Sequence, residues 1–441
     1  MKTKNYRLLA TLASIFTFLG MMAQPAQKLV TISVTPEGTR SASEIEKVAD
    51  SYIFPVGEKV KFNISVSSSN IPLDNISISY SIMADKMPAR KSETITLENG
   101  KATVDGGTMS VSGFLRCTAT TEVDGVKYTG TCAVGFAPNK IKPTVTEPAD
   151  FDKFWSDALK SLSKVPLDSK LTLLPERCND KVNVYEVKIA SVRPMYGILC
   201  IPKSEGKHPA VLRVPGAGVH KIGGYFPPAE NDGYITLDLG IHSIPLTADA
   251  EFYKALSTGT LRDYPSINID NPQNYYYRNV YLGCIRAVEF LKSLPEHDGK
   301  NIFVVGGSQG GALSIATAAL SPDVTGIMTF FPALSDQEAY LKGRAGGWHH
   351  YFYFHKNDSQ IDRAVKTVRY YDTVNFARRV KVPVYMSFGF NDLTCAPTST
   401  YAAWNSISSE QRKLLIVPET GHWYYPHQWS TGWKWLQQFR K

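Results

Sequence analysis

Cysteine is scarce in this 441-residue chain. Its six cysteines, Cys117, Cys132, Cys178, Cys200, Cys284 and Cys395, are too few and too scattered for a disulfide scaffold, and no C-x-x-C pair offers a zinc or redox site. Nor is there a block of basic residues. The formal charge of +8 falls to +5 without Lys2, Lys4 and Arg7 and is spread along the chain, which argues against a nucleic-acid partner. The sequence has no H-E-x-x-H, and the histidines of WHHYFYFH (His349, His350 and His355) have no carboxylate at ligand spacing. They read as a polar, aromatic surface or pocket rim, with no metal implied. No G-x-x-x-x-G-K-[ST] loop is present to cradle a nucleotide phosphate.

Long apolar runs are also missing but for one. Leu8 to Met22, preceded by three basic residues and followed by the small Ala23, is short for a membrane span and interrupted by Thr and Ser. Residues 1–23 therefore read as a secretory signal peptide, which predicts export to the periplasm or beyond and no membrane span in the mature chain. The absence of a cysteine after the run speaks against a lipid anchor.

What is present divides in two. Residues 24–138 alternate in period two (VKFNISV, ISISYSI, ETITL, FLRCTATTEV, VKYTGTCAV) between turn signals such as ENGK and VDGV, which predicts a small immunoglobulin-like β-sandwich. In CTATTEVDGVKYTGTC, a two-residue Asp124-Gly125 hairpin sets Cys117 opposite Cys132, either as a disulfide or as two buried thiols. With few aromatics suited to stacking on sugars, this part reads as a spacer or interaction domain rather than a carbohydrate-binding module. Residues 139–149 form a proline-containing linker.

From 150 to 441 the pattern changes. DFDKFWSDALKSL puts Phe151, Phe154, Trp155, Ala158, Leu159 and Leu162 on one helical face, and eight β-branched strands then alternate with helical stretches. That alternation predicts an α/β fold with a mostly parallel central sheet and functional residues at the strands' carboxyl ends.

The chemistry starts at NIFVVGGSQGGALS. Gly306-Gly307-Ser308-Gln309-Gly310 fits G-x-S-x-G between a strand and a helix, where a sharp turn exposes the serine hydroxyl. Serine needs a base and a carboxylate to orient that base. After VPVYMSFG comes Asp392, and after KLLIVP comes His422, so nucleophile, acid and base appear in α/β-hydrolase order at three strand ends. The oxyanion donors are expected at Gln309, which follows the nucleophile, and at Ala217 in the Pro215-Gly216-Ala217-Gly218 turn. Phe252 and Tyr253, in a long segment between sheet elements, are candidate substrate contacts.

These motifs resemble the acetyl xylan esterase and cephalosporin C deacetylase family of α/β-hydrolases, carbohydrate esterase family seven, over about Pro143 to Lys441. The likeness rests on DFDKFW, DNPQNYYYRNVY, GGSQGGAL, YYDTVNFARRVKVPVYMSFGFND and CAPTSTYAAWN. It implies a Ser308, Asp392 and His422 triad with donors at Gln309 and Ala217. It also implies removal of acetyl groups from acetylated oligo- or polysaccharide, with xylan or its oligosaccharides foremost, without a cofactor, and a compact homo-oligomer, commonly a hexamer. Two departures stand out. LDLGIHSIP keeps Gly240 but replaces the neighbours of the family's Arg-Gly-Gln signature with Leu239 and Ile241, and Trp423 follows His422 where the family has glutamate. The β-domain lies outside the common family plan. Two other readings stay open from the sequence: a prolyl-oligopeptidase-like peptidase and a non-catalytic carbohydrate-binding protein on the same fold.

Overall fold

A computed structural model describes residues 29–38 and 49–441; the expected leader, residues 1–23, lies outside them. Strands β1 (Val30–Pro36), β2 (Ile53–Phe54), β3 (Val60–Ser68), β4 (Ile71–Pro72), β5 (Ser77–Ala84), β6 (Ala89–Thr96), β7 (Lys101–Gly107), β8 (Gly113–Val123) and β9 (Val126–Phe136) build an all-β region. One sheet runs β1-β3-β4 with β7 also on β3, and the other runs β2-β9-β8-β5-β6. The alternation in β3 explains its place: Val60, Phe62, Ile64 and Val66 are buried while Lys61 and Asn63 face out. Asp124 and Gly125 both take positive φ, 52° and 73°, as a type I′ hairpin turn requires. That turn pairs Cys117 with Cys132, and both are free, buried thiols.

The second part holds β10 (Ser169–Leu173), β11 (Val182–Ile189), β12 (Met195–Pro202), β13 (His208–Arg213), β14 (Ile235–Gly240), β15 (His297–Gly307), β16 (Gly326–Phe330), β17 (Val384–Phe388) and β18 (Arg412–Ile416). They form one sheet in the order β10-β11-β12-β14-β13-β15-β16-β17-β18. The pairs from β14 to β18 are parallel, and β10, β11 and β12 join antiparallel. All eight expected strands are present. The ninth, β10, was not expected, because it is an edge strand whose five residues are all exposed and so lacks a buried face to imprint period two on the sequence.

Helices cover both faces of this sheet, as β16 shows. A Cβ on Gly432 of helix Pro426–Gln437 would meet Met328, whereas one on Gly311 of helix Gln309–Leu320 would meet the neighbouring Thr329 from the other side. Helix Tyr276–Ser293 packs beside Gln309–Leu320. Successive strands lie on opposite sides of β13, so the crevice between β13 and β15 is the topological switch point at which such sheets carry their sites.

The core of the β-region runs on into that of the α/β part. One continuous buried apolar cluster includes Val30, Phe62 and Phe114 of the β-region together with Val304, Phe390 and Leu436 of the α/β part. At the seam, the Phe114 ring meets Phe390 edge-on at 4.9 Å and lies 5.7 Å from Tyr401. The segment after β9 is also bound to the α/β part. The amides of Thr144 and Val145 and the Thr144 hydroxyl all donate to Asp336 Oδ1, at 2.7 to 2.8 Å.

Candidate active site

Ser308 sits at the carboxyl end of β15 with φ 58° and ψ −124°, a backbone strain of about 1–3 kcal/mol for a residue with a Cβ. The surroundings enforce it. The Ser308 amide donates to the Phe330 carbonyl at 3.0 Å, and the Ser308 carbonyl accepts from the Ala333 amide at 3.0 Å. Glycine at 310 is required because a Cβ there would overlap the Val214 carbonyl, and this close approach brings the helix start against the loop after β13.

Asp392 and His422 follow β17 and β18. Asp392 is fully buried, and its Oδ1 accepts from the amides of Thr394 and Cys395 at 2.7 and 2.8 Å. Its Oδ2 lies 2.8 Å from His422 Nδ1. A carboxylate can only accept, so Nδ1 carries the imidazole proton and Nε2 is left as the basic nitrogen. Cys395 connects this pair to the elbow. Burial first, then the Asp392 charge, pushes its thiol well above the ordinary range, and a hydrogen bond with the Ser308 hydroxyl acts in the opposite direction. The Phe331 ring, which follows β16, lies 4.6 Å from the His422 ring.

The Gln309 amide is at the first position of its helix, where backbone N–H groups lack helical partners and the helix end carries partial positive charge. The Gln309 side chain is fully buried and fixes the opposite wall. Its Nε2 donates to the carbonyls of Gly216 at 3.1 Å and Pro215 at 3.3 Å. Its Oε1 accepts from the hydroxyls of Tyr264 at 2.6 Å and Tyr277 at 2.7 Å. Tyr264 in turn accepts from the Gly218 amide. Ala217 is at the exposed tip of the loop thus held.

His242, in the LGIHS stretch, braces the same loop. Its Nε2 faces the Gly218 carbonyl at 2.9 Å and its Nδ1 faces the Tyr276 hydroxyl at 2.6 Å. A carbonyl accepts only, so Nε2 carries the proton and Nδ1 accepts from tyrosine. Burial lowers the pKa of His242, which favours this neutral form. Sequence reasoning passed over Tyr264, Tyr277 and His242. The YYYRNVY landmark contained Tyr277, but three adjacent tyrosines gave no sign of which one turns inward.

Beside the elbow, a cavity of about 370 Å³ is lined by Pro215, Gly216, Gly307 and Tyr424 and by the Arg213–Asp238 ion pair, whose bonds are 2.5 and 2.8 Å. Tyr253 is buried, donates to the Pro245 carbonyl and lines a cleft shared with Gly218 and His242, whereas Phe252 is 46% exposed. The histidines expected at a rim differ among themselves. His355 is exposed and stacks on Tyr351, but burial pushes His349 down to about 3 and His350 down to about 4. Both folded values lie below the ordinary 6.5, so the stability from keeping these rings neutral is complete above that pH and is lost as pH falls through it. Stability is expected to drop by about 1.4 kcal/mol per pH unit for each ring between about pH 6 and about pH 4. Urea unfolding across that range tests this, and His350→Gln should remove about half of the slope.

The family model described as Acetyl xylan esterase (AXE1) matches residues 139–439. The chain belongs to the acetyl xylan esterase family. The acetyl esterase Axe7A of Xylanibacter ruminicola is 39% identical over 393 residues, covering 88% of each chain. That stretch is longer than residues 139–439, so this likeness extends into the β-region. Among solved structures, the acetyl xylan esterase from Paenibacillus sp. R4 superposes with a TM-score of 0.60 at 25% identity, covering 68% of this chain and 98% of its own. Acetyl xylan esterase 1 from Thermoanaerobacterium sp. JW/SL YS485 gives a TM-score of 0.61 at 24% identity, with 69% and 98% covered. About two thirds of this family member thus accounts for nearly all of either neighbour. This acetyl xylan esterase family member is a carboxylic-ester hydrolase on an α/β-hydrolase fold, and the peptidase and non-catalytic readings are not favoured. No helix among the described residues is long and apolar enough to cross a membrane.

Proposed function

We propose that the protein removes acetyl groups from acetylated xylan or xylo-oligosaccharides through an acetyl-Ser308 intermediate. The observation that carries this reading is the 2.8 Å Asp392–His422 bond beside a serine held at a strained strand-to-helix turn. Ser308 Oγ attacks the acetyl carbonyl while His422 Nε2 takes its proton, and Asp392 steadies the imidazolium that forms. The amides of Gln309 and Ala217 receive the developing oxyanion. His422 then protonates the departing sugar oxygen, and water, activated by the same imidazole, releases acetate. The leader read at residues 1–23 would place this reaction outside the cytoplasm.

Substrate choice is assigned to the aromatic rim. Trp423 is 46% exposed directly after His422 and meets Tyr425 edge-on at 4.8 Å, a surface suited to the apolar face of a sugar ring. Acetate release from acetylated xylan, mannan, pectin and acetylated monosaccharides, with Ser308→Ala as control, tests the reading. Fastest release from xylan fragments is expected; cleavage of dipeptidyl amides without acetate release would refute it. Trp423→Ala should raise KM for acetylated xylo-oligosaccharides about five-fold, the equivalent of about 1 kcal/mol of ring contact, and leave KM for para-nitrophenyl acetate unchanged.

A further inference from the structure

The loop that carries Asp392 is gripped from outside the hydrolase fold. Arg116, on β8 of the β-region, has a side chain only 1% exposed and is paired with the equally buried Asp85 at 3.0 Å. Arg116 Nη2 also donates to the Phe390 carbonyl at 2.9 Å and reaches the Asp392 carbonyl at 3.5 Å. Asp85 Oδ2 accepts from the Thr398 hydroxyl at 3.1 Å and from its amide at 3.4 Å, so the pair holds both ends of the segment from Phe390 to Thr398. Two more bonds from the β-region fall between those ends. Lys86 Nζ donates to the Leu393 carbonyl at 2.6 Å, and the Ala133 amide donates to Asn391 Oδ1 at 3.0 Å. The far side of Asn391 donates to the Glu419 carbonyl, in the loop that carries His422.

A buried ion pair is weak evidence for stability, because desolvation offsets most of its attraction. What this pair provides is direction: a guanidinium with fixed donors aimed at backbone carbonyls of one loop. We propose that the β-region is a positioning element for the catalytic acid, with the Arg116–Asp85 pair holding the Phe390–Thr398 loop so that Asp392 meets His422. Arg116 touches no reacting atom and acts through Asp392. The inference rests on the triad reading above. It also gives the β-region a role inside the active enzyme in place of a spacer's.

The test compares Arg116→Met, Arg116→Lys and Lys86→Met in the full chain, using para-nitrophenyl acetate well below each variant's Tm. Phe62→Leu, in the β-region core away from the loop, is the control for general destabilisation. Arg116→Met is expected to lower kcat about 10²-fold, the usual cost of a displacement of about 1 Å in a catalytic group, with KM unchanged. Arg116→Lys should recover about ten-fold of that loss, and Lys86→Met should lower kcat about three-fold. Phe62→Leu should lower Tm and leave kcat unchanged. Unchanged kcat in a folded Arg116→Met protein would overturn the proposal, as would an equal kcat loss in Phe62→Leu. If Arg116→Met does not fold, Lys86→Met decides, and an unaltered kcat there overturns it. Ser308→Ala and Asp392→Asn in the same assays separate the two ideas: activity retained in them refutes the triad, whereas activity lost in them but kept in the Arg116 and Lys86 variants refutes only the positioning role.

Discussion

Ser308→Ala is expected to lower kcat for acetyl ester hydrolysis by about 10⁴-fold or more, leaving only what the oxyanion donors and binding supply. The substitution removes the oxygen proposed to form the acetyl bond. Its structural effect should be small. The elbow is held by backbone bonds from the Ser308 amide and carbonyl and by the close helix approach at Gly310, none of which uses the hydroxyl. A thermal melt close to the parent's, together with lost turnover, is therefore the expected pair of results. The hydroxyl's neighbour also predicts a secondary effect. Cys395 is buried, and its thiol is pushed far up, so it should not take over as nucleophile in the variant.

Gly389→Ala should be nearly as damaging by a different route. A Cβ at this position, directly after β17, would overlap the Thr420 carbonyl, and a backbone atom cannot turn aside as a side-chain end can. The approach is the one that brings acid and base together. The Phe390 amide donates to the Pro418 carbonyl and the Asn391 amide to the Thr420 carbonyl, both at 3.1 Å, so the loop carrying Asp392 is zipped to the loop carrying His422. Opening this zip by about 1 Å would separate Asp392 Oδ2 from His422 Nδ1 and cost about 10²-fold in kcat. The overlap itself should lower stability by about 3 kcal/mol, at the upper end for inserted core volume. Steady-state kinetics and denaturant unfolding on one preparation measure both effects.

The sequence carried the skeleton of this site because the skeleton obeys local rules. Buried parallel strands such as Ile302–Val305 read as apolar runs, the elbow needs glycines at fixed offsets, and the acid and base follow their strands in order. What stayed hidden depends on contacts between residues far apart in the chain. Arg116 on β8 gives no sign that its partners lie at Phe390 and Asp392, since a buried arginine in a period-two strand looks like any outward-facing one. His242 lies in an irregular segment and Tyr264 opens a three-residue 3-10 turn, and only the folded loop after β13 gives them their tasks. The edge strand β10 has no buried side at all. The β-region hid its packing on the α/β part for the same reason. Its period-two pattern shows that it can form a sandwich, but the ring of Phe114 against Phe390 is written nowhere in that pattern.

In the proposed mechanism, acetyl transfer passes through the Ser308 oxygen with His422 as the base. It is tested most directly by mixing the protein with para-nitrophenyl acetate, quenching rapidly in acid and mapping the acetylated peptide by mass spectrometry. The predicted result is one acetyl group per chain on the peptide that contains Ser308, formed in step with a stoichiometric burst of nitrophenol and absent from Ser308→Ala. Full turnover with no acetylated Ser308, or with the acetyl group on another residue, would contradict it.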